Sequence, residues 1–285
     1  MYDSRYKAPR KRSALRVQLG WIAYNMLRSA QWFIRRREYA VPEKITDPDS
    51  TGFSECVFSH QTPLRRHLKD EEMWMQENKI HNLHLAVARL DGLVLSPGKS
   101  FSYWKLIGAP LAYRGFKKGM VLVNGTVQSR TGGGLCQLSN LLYWLTLHTP
   151  LTVTERFRHS YDVFPDSSRT QPFGSGATCV YKYRDLQFRN DYMEPFRLSL
   201  KLEDGFLKGE WQCPRETGLT YEVYEKKHWI TQGGAGRYIR NNLLYRKCYA
   251  GGRLAEDSYL TENHALMMYS PLLNPPASFA KEEGV

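Results

Sequence analysis

Residues 132–148 read GGGLCQLSNLLYWLTLH, and this stretch decides most of what the sequence predicts about the fold. From Leu135 to His148 the side chains are apolar nearly all round a helix, which is typical of a helix buried in a core. Thr149-Pro150 ends the pattern, because proline cannot continue a helix. Fourteen residues are too few to cross a bilayer. We therefore expect a short core helix.

Strand patterns lie on both sides of this helix. Residues 121–127, with Asn124-Gly125 at their centre, predict a β-hairpin with a type I′ turn. Apolar residues alternate towards and away from Asp204-Gly205, which predicts a second hairpin, and residues 221–269 have a strand-rich composition. The sequence thus predicts an α+β fold, with antiparallel β-sheet packed around a short buried helix and an additional N-terminal helical region.

The N-terminal region carries most of the net charge of +12. Residues 1–40 hold ten Lys or Arg against Asp3 and Glu38, a net of +8. Helical spacing over residues 13–37 recurs at Leu15, Leu19, Ile22, Met26 and Phe33. Two interpretations remain open: the helix lies on an anionic membrane surface, or it packs on the domain and leaves a solvated basic face. The remainder has neither a second basic stripe nor a binding motif, which argues against nucleic acid.

The composition changes divide the chain into four segments. We expect a basic amphipathic helical segment at 1–40, a turn-rich linker at 41–55, an α+β domain at 56–270 and a disordered tail at 271–285. Within the domain, acidic residues followed by an apolar stripe predict a helix from Asp70 to Arg89. No residue pattern specifies an oligomeric state.

Cysteine usage and hydropathy bear on the compartment. The five cysteines are scattered and form no C-x-x-C pair, which argues against a disulfide framework and fits a reducing environment. The most apolar N-terminal stretch is interrupted by polar residues, and Arg28 is unsuitable near a signal cleavage point. We therefore expect a cytoplasmic chain, peripheral at the inner membrane face if the first segment binds lipid. No motif predicts a metal or a cofactor.

Cys136 is the candidate nucleophile. It follows Gly133 and Gly134, which permit close approach of a ligand to the backbone and are candidates for substrate binding. At the first turn of a helix, unpaired N–H groups and the positive dipole end favour a thiolate, so we expect a lowered thiol pKa. The same N–H groups could stabilise an oxyanion.

His159 is the candidate base for this thiol. If the alternation of the strand Leu151–Phe157 continues, the ring of His159 points inward towards the core. Asp162 or Asp166, on the turn that follows, could orient the ring.

Further candidates for binding substrate surround these residues. Asn140 and Tyr143 follow Cys136 at i+4 and i+7 and share its helix face. Gln137 could assist an oxyanion, and Arg158 precedes the base. The competing interpretation is structural, because free cysteines often only pack and glycines often only permit a tight helix start.

Residues 132–143 resemble the signature of the VanW family. Similar motifs lie at 78–83, 96–104, 158–166 and 172–178, so the resemblance extends from about Cys56 to Tyr269. It implies a link to glycopeptide antibiotic resistance and peptidoglycan metabolism, but it supplies no mechanism. Two functions follow. One is a thiol-dependent hydrolase or transferase acting on a cell-wall precursor or peptide; the other is a non-catalytic binding or scaffold protein at the inner membrane face.

Overall fold

The computed structural model describes residues 13–41, 52–65, 73–123, 125–163, 171–233 and 236–270. Over this part the helices are α1 (Ala14–Ile34), α2 (Met73–Leu90), α3 (Tyr103–Ile107) and α4 (Cys136–Leu147). The strands are β1 (Glu55–Pro63), β2 (Val94–Leu95), β3 (Ser100–Ser102), β4 (Lys118–Val123), β5 (Thr126–Thr131), β6 (Thr152–Glu155), β7 (Tyr161–Asp162), β8 (Gln187–Arg189), β9 (Phe196–Glu203), β10 (Phe206–Cys213), β11 (Leu219–Gln232), β12 (Tyr238–Ala250) and β13 (Arg253–Met267). The α+β architecture is confirmed.

The central sheet has the strand order β1-β10-β9-β2, with every neighbouring pair antiparallel. Strands β9 and β10 form the hairpin predicted around Asp204-Gly205, and both turn residues have positive φ. Alternate residues of both strands are buried, including Leu198 and Trp211. This period of two gives the sheet one apolar face that can cover a helix.

Helix α4 packs against this sheet, in contact with β1 and β10. Gly209 of β10 makes room for it, because an added Cβ would stand 2.9 Å from Leu145 Cδ1 and 3.1 Å from Leu141 Cδ2. Both leucines are fully buried. The predicted core helix is therefore confirmed, and it lies in the main hydrophobic cluster.

A three-stranded sheet, β3-β8-β6, contributes further side chains to the core. Phe101 and Phe188 stack on it with ring centroids 4.2 Å apart, and Trp211 meets Phe188 edge-on. The adjacent Asp185 is buried and accepts hydrogen bonds from Ser102 Oγ at 2.5 Å and from the backbone N–H of Trp104 at 3.0 Å.

The hairpin of β4 and β5 is the one predicted around Asn124-Gly125, and it lies over α2. Asn124 is outside the described residues, whereas Gly125 has the positive φ that the turn requires. The predicted second helix is confirmed as α2, which begins at Met73; the first residues of that prediction, up to 72, lie outside the described part.

Strands β11, β12 and β13, near the C-terminal end of the described chain, form a separate sheet with β7, in the order β11-β12-β13-β7. Its three long strands are antiparallel, whereas the short β7 pairs in parallel with β13. The strand-rich tail is thus confirmed. The predicted disordered segment 271–285 and most of the predicted linker lie outside the described residues, and the division into domains stays a prediction.

The strand predicted over Leu151–Phe157 is shorter than expected, and its alternation fails. It ends at Glu155, and its pairing with β8 shifts register between Val153 and Glu155. Such a bulge reverses the faces of the residues that follow. Phe157 is consequently 37% exposed, whereas Arg156 turns inward, so the route by which His159 was expected to point inward is wrong.

Helix α1 begins after the cap residue Ser13 and confirms the predicted N-terminal helix. Among the helices that the structure describes, none is both long enough and apolar enough to cross a membrane.

Candidate functional site

The glycine run before α4 is shaped by close packing of the chain on itself. A Cβ on Gly133 would overlap the backbone of Gly119, and a Cβ on Gly134, whose φ is +91°, would overlap the side chain of Lys79. Asn82 fixes the segment by donating to Gly133 O at 2.9 Å. These contacts explain why glycine is needed here, and a role of Gly133 and Gly134 in binding substrate stays a prediction.

Cys136 is the first residue of α4 and is exposed to solvent, although most of the helix is buried. The backbone N–H groups of Cys179 and of Cys136 itself donate towards its sulfur. The neighbouring N–H of Gln137 is engaged within the first turn, where it donates to Gly134 O at 3.1 Å. The donors at the thiol therefore come from Cys136 itself and from the loop opposite it.

Burial raises the pKa of the Cys136 thiol, which corrects the expectation of a lowered value. The two backbone donors favour the thiolate, but protein atoms crowd the sulfur and exclude the water that would solvate its charge. Crowding and exposure govern different properties here. The exposure of the residue bears on whether a substrate can approach Cys136, and the crowding around the sulfur determines how readily the thiol ionises.

Asn140 joins the helix to His159. Its Oδ1 accepts a hydrogen bond from the backbone N–H of Ala177 at 2.8 Å and lies 3.3 Å from His159 Nε2. His159 Nδ1 lies 2.8 Å from Thr178 Oγ1. Gly176 lets the loop pass this close, because a Cβ there would stand 2.7 Å from Asn140 Oδ1 and 3.0 Å from His159 Nε2. The structure thus places His159 beside the helix turn that follows Cys136.

Residues 174–179 form the wall of the site opposite α4. Ser139 Oγ donates a hydrogen bond to Ala177 O at 2.8 Å. Two residues after Ala177, the Cys179 N–H meets the Cys136 sulfur, and burial raises the pKa of the Cys179 thiol well above its usual value. The loop is therefore held to the start of α4 by contacts with three of its residues, Cys136, Ser139 and Asn140.

Arg156 is a positioning residue that the sequence interpretation missed. Its guanidinium lies over the ring of Tyr143, 4.9 Å from the centroid, and donates to Gly176 O at 2.9 Å and to Gly174 O. Tyr143 is itself buried beneath it, and burial raises the pKa of its phenol. Arg156 therefore holds the loop in place. The only signal in the sequence was a charged residue within an alternating apolar strand.

Asp162 is buried on β7, the edge strand of the sheet that β11, β12 and β13 form. Its carboxylate forms an ion pair with Arg240 at 3.3 Å and accepts a hydrogen bond from Tyr269 at 2.7 Å. Asp166, the other candidate for orienting His159, lies outside the described residues. The described partner of His159 Nδ1 is Thr178, and the orienting role of either aspartate stays a prediction.

Gln137 and Arg158 each have a described partner. The Gln137 amide donates to Thr62 Oγ1 and Pro63 O, both at 2.9 Å, and thereby ties α4 to the end of β1. Arg158 donates to Glu262 O at 2.7 Å. Their roles in binding substrate stay predictions. Within the described part of the chain, no three His, Cys, Asp or Glu residues come together as metal ligands would.

A comparison with curated proteins identifies relatives of this chain. The chain is 33% identical over 210 residues to the vancomycin B-type resistance protein VanW of Enterococcus faecalis, which is 67% of this chain and 76% of that protein. The family described as VanW like protein matches residues 78–212. The chain belongs to the VanW family.

A second relative is the uncharacterized protein YoaR of Bacillus subtilis, 27% identical over 129 residues, which is 45% of this chain and 41% of that protein. No solved structure matches the chain. The part of the chain that matches the VanW family contains Cys136, Asn140, His159 and the loop 174–179, but neither α1 nor the strands β11 to β13. The site therefore lies in the shared portion.

Proposed function

We propose that this VanW-family chain is a thiol-dependent hydrolase or transferase that acts on a peptide amide of a cell-wall precursor. The observation that carries the proposal is the position of Cys136, an exposed residue at the start of a helix that is otherwise mostly buried, with two backbone N–H groups aimed at its sulfur. The name of the Enterococcus faecalis relative supports a role in glycopeptide resistance.

The raised pKa of the thiol means that Cys136 needs a base to become nucleophilic at neutral pH. His159 is the histidine held next to the helix turn that follows Cys136, through Asn140. Because Asn140 Oδ1 can only accept a hydrogen bond, the ring proton of His159 is on Nε2, and Nδ1 takes the thiol proton as the sulfur attacks the amide carbonyl. The oxyanion that forms beside the sulfur meets the N–H groups of Cys136 and Cys179, which already converge there.

The second half of the reaction returns the proton. His159 gives it to the leaving amine as the C–N bond breaks, and the acyl group stays on Cys136 as a thioester. Water then attacks the thioester in a hydrolase, whereas a second amine attacks it in a transferase. In both cases the thiol is regenerated.

The test compares the chain with its Cys136→Ala and Cys136→Ser variants on synthetic peptidoglycan stem peptides, followed by mass spectrometry of the products. We expect both variants to lose at least about a thousandfold in rate. Cys56→Ala is the matched control, since Cys56 is also exposed but lies on β1, outside both α4 and the loop 174–179. Intact-protein mass spectrometry should detect the acyl group on the parent chain and on Cys56→Ala, but not on Cys136→Ala.

Replacement of the base gives a second readout. His159→Gln should slow acylation near neutral pH and recover part of the rate as the pH rises towards the thiol pKa, because the thiolate then forms without a base. Full activity in Cys136→Ala would overturn the proposal. Binding of the stem peptide with unchanged affinity by parent and variants, without any turnover, would instead favour the non-catalytic binding protein.

A further inference from the structure

Helix α1 exposes its apolar face and packs on the domain through its polar one. Leu15, Leu19, Ile22, Met26 and Phe33 follow one another at helical spacing and lie on one side of the helix. They are 67%, 58%, 44%, 68% and 69% exposed, respectively. A helix that packed by its apolar stripe would show the opposite pattern.

The contacts that hold α1 are mainly polar. Arg28 forms a two-point ion pair with Glu155, at 2.7 and 2.5 Å, and Ser29 accepts a hydrogen bond from Lys182 at 2.8 Å. Trp32 adds partial packing against the core. The Tyr24 ring also meets the ring of Tyr183 edge-on, with centroids 4.8 Å apart. These contacts begin at Tyr24, so the part of the helix before it extends from the domain with its apolar side chains uncovered.

Exposed apolar side chains are concentrated on α1 and are not scattered evenly over the described surface. Ten of the 22 large apolar side chains that are exposed in the described part of the chain belong to this one helix, Trp21 and Tyr24 among them. Contiguous apolar surface of this kind marks an interaction site, whereas single exposed side chains are ordinary.

Charge distinguishes between the surfaces that could cover this face. The helix contains no acidic residue, Arg35, Arg36 and Arg37 follow it directly, and five of the first twelve residues are Lys or Arg. A second copy of the same helix would bring like charges together. An anionic lipid surface offers the opposite charge and an apolar layer beneath it, and tryptophan and tyrosine favour that boundary.

We propose that α1 lies in the plane of an anionic membrane surface, with Leu15, Leu19, Ile22, Met26 and Phe33 inserted at the level of the lipid headgroups and upper acyl chains. The 21-residue helix is about 30 Å long, so it can lie flat along the surface while the Arg28–Glu155 pair holds the domain beside it. This surface is independent of Cys136, and the failure of one proposal leaves the other intact.

The test is partition of the full chain to vesicles, measured by flotation. Vesicles of phosphatidylcholine with roughly a third phosphatidylglycerol should bind the chain, and pure phosphatidylcholine vesicles should bind it at least about tenfold more weakly. The double variant Leu19→Gln/Met26→Gln keeps the net charge and should lower the partition coefficient on anionic vesicles by about tenfold or more. Neither replaced side chain is buried, so the fold should be unchanged.

The matched control is Tyr113→Gln/Met193→Gln, which removes two side chains that are 85% and 80% exposed but lie off the helix. It should partition like the parent chain. Equal partition of both double variants would overturn the proposal, as would absence of binding to anionic vesicles. Sedimentation equilibrium gives a further check: a dimer that Leu19→Gln/Met26→Gln dissociates, in a chain that ignores vesicles, would assign the face to a second copy instead.

Discussion

Helices α1 and α4 have similar apolar content and opposite positions in the structure. Helix α4 has no charged residue, and nine of its twelve residues, all described, are buried. Helix α1 has only Arg16 and Arg28 as charges, yet Arg28 is the single buried residue among its 21, all described. In α4 the exposed side chains include Cys136, at the candidate site, whereas in α1 the exposed side chains are the large apolar ones.

The difference shows that apolar composition alone does not place a helix in the core. Helix α4 has a complementary surface, because Gly209 and the alternating side chains of β9 and β10 leave a groove of the right shape. Helix α1 has an ion pair and a few hydrogen bonds in place of such a groove. Packing surface, and not hydrophobicity by itself, therefore determines which helix stabilises the domain.

The largest expected effect comes from matched leucine truncations in the two helices. Leu141→Ala should lower the free energy of unfolding by about 2–5 kcal/mol, because a fully buried side chain leaves a cavity. Leu19→Ala should change it by less than about 0.5 kcal/mol. Urea unfolding of both variants measures this. Similar losses would mean that α1 is covered by the domain in solution.

Sequence patterns predicted those elements whose partners are local. The hairpins around Gly125 and Gly205 and the buried helix α4 each carry a complete signal in the residues themselves. The surroundings of α1 could not be predicted, because periodicity shows which side chains share a face and not what that face meets. The bulge in β6 was also hidden, since it arises from pairing with β8, more than thirty residues away.

The candidate site was predicted in part for the same reason. The position of Cys136 at a helix start follows from the glycine run, but the direction of its pKa depends on how many atoms of distant segments crowd the sulfur. Thr178 contacts His159, and Arg156 contacts Gly176. These contacts hold the site, but the spacing of residues along the sequence does not predict them. The motif at residues 172–178 resembles the VanW family, but its sequence predicts no structural role. In the structure most of it belongs to the loop opposite α4.

The second effect concerns Asp185, a buried carboxyl whose charge interacts with Arg28 of α1. Burial raises the pKa of its carboxyl to about 6, with Ser102, Trp104 and the nearby Arg28 opposing that shift. Near pH 4 the folded chain holds this proton, and as the pH rises through about 6 the buried carboxyl must ionise. The folded state should lose up to about 3 kcal/mol over that range.

The comparison of the parent chain with Asp185→Asn isolates this contribution. The difference between their free energies of unfolding should change between about pH 4 and pH 6, with the parent losing stability relative to the variant, and should be constant above about pH 7. Denaturant titrations at half-unit pH steps measure it. A difference that does not vary with pH would contradict a buried, raised carboxyl at this position.

Matched glycine replacements give the third effect. Gly133→Ala, just before α4, should lower the free energy of unfolding by about 1–3 kcal/mol, because the new methyl group overlaps the backbone of Gly119. Gly20→Ala, within α1, has no atom near its Cβ and should stabilise the helix by at most about 1 kcal/mol. Thermal unfolding should therefore shift in opposite directions. A loss in both variants would contradict the open surroundings of Gly20.

The smallest effect on global stability should come from the residue that attaches α1. Breaking a buried ion pair commonly costs about 3–5 kcal/mol, because the remaining charge stays buried without a partner. Here Arg28→Ala frees α1 to move away from the domain, and water can then reach Glu155, so we expect a loss of only about 1–2 kcal/mol. Arg16→Ala, on the exposed part of the same helix, should have no measurable effect.

Two local readouts should change strongly in Arg28→Ala although global stability changes little. Amide hydrogen exchange in residues 14–34 should accelerate by at least about tenfold, because the helix loses its principal attachment. The pKa of Asp185 should rise further, since the substitution removes the Arg28 charge that lowers it. Unchanged exchange and an unchanged Asp185 midpoint would mean that the partial packing of Trp32 suffices to hold α1. In that case α1, like α4, would be held by apolar packing, and the two helices would differ only in how much of their surface is packed.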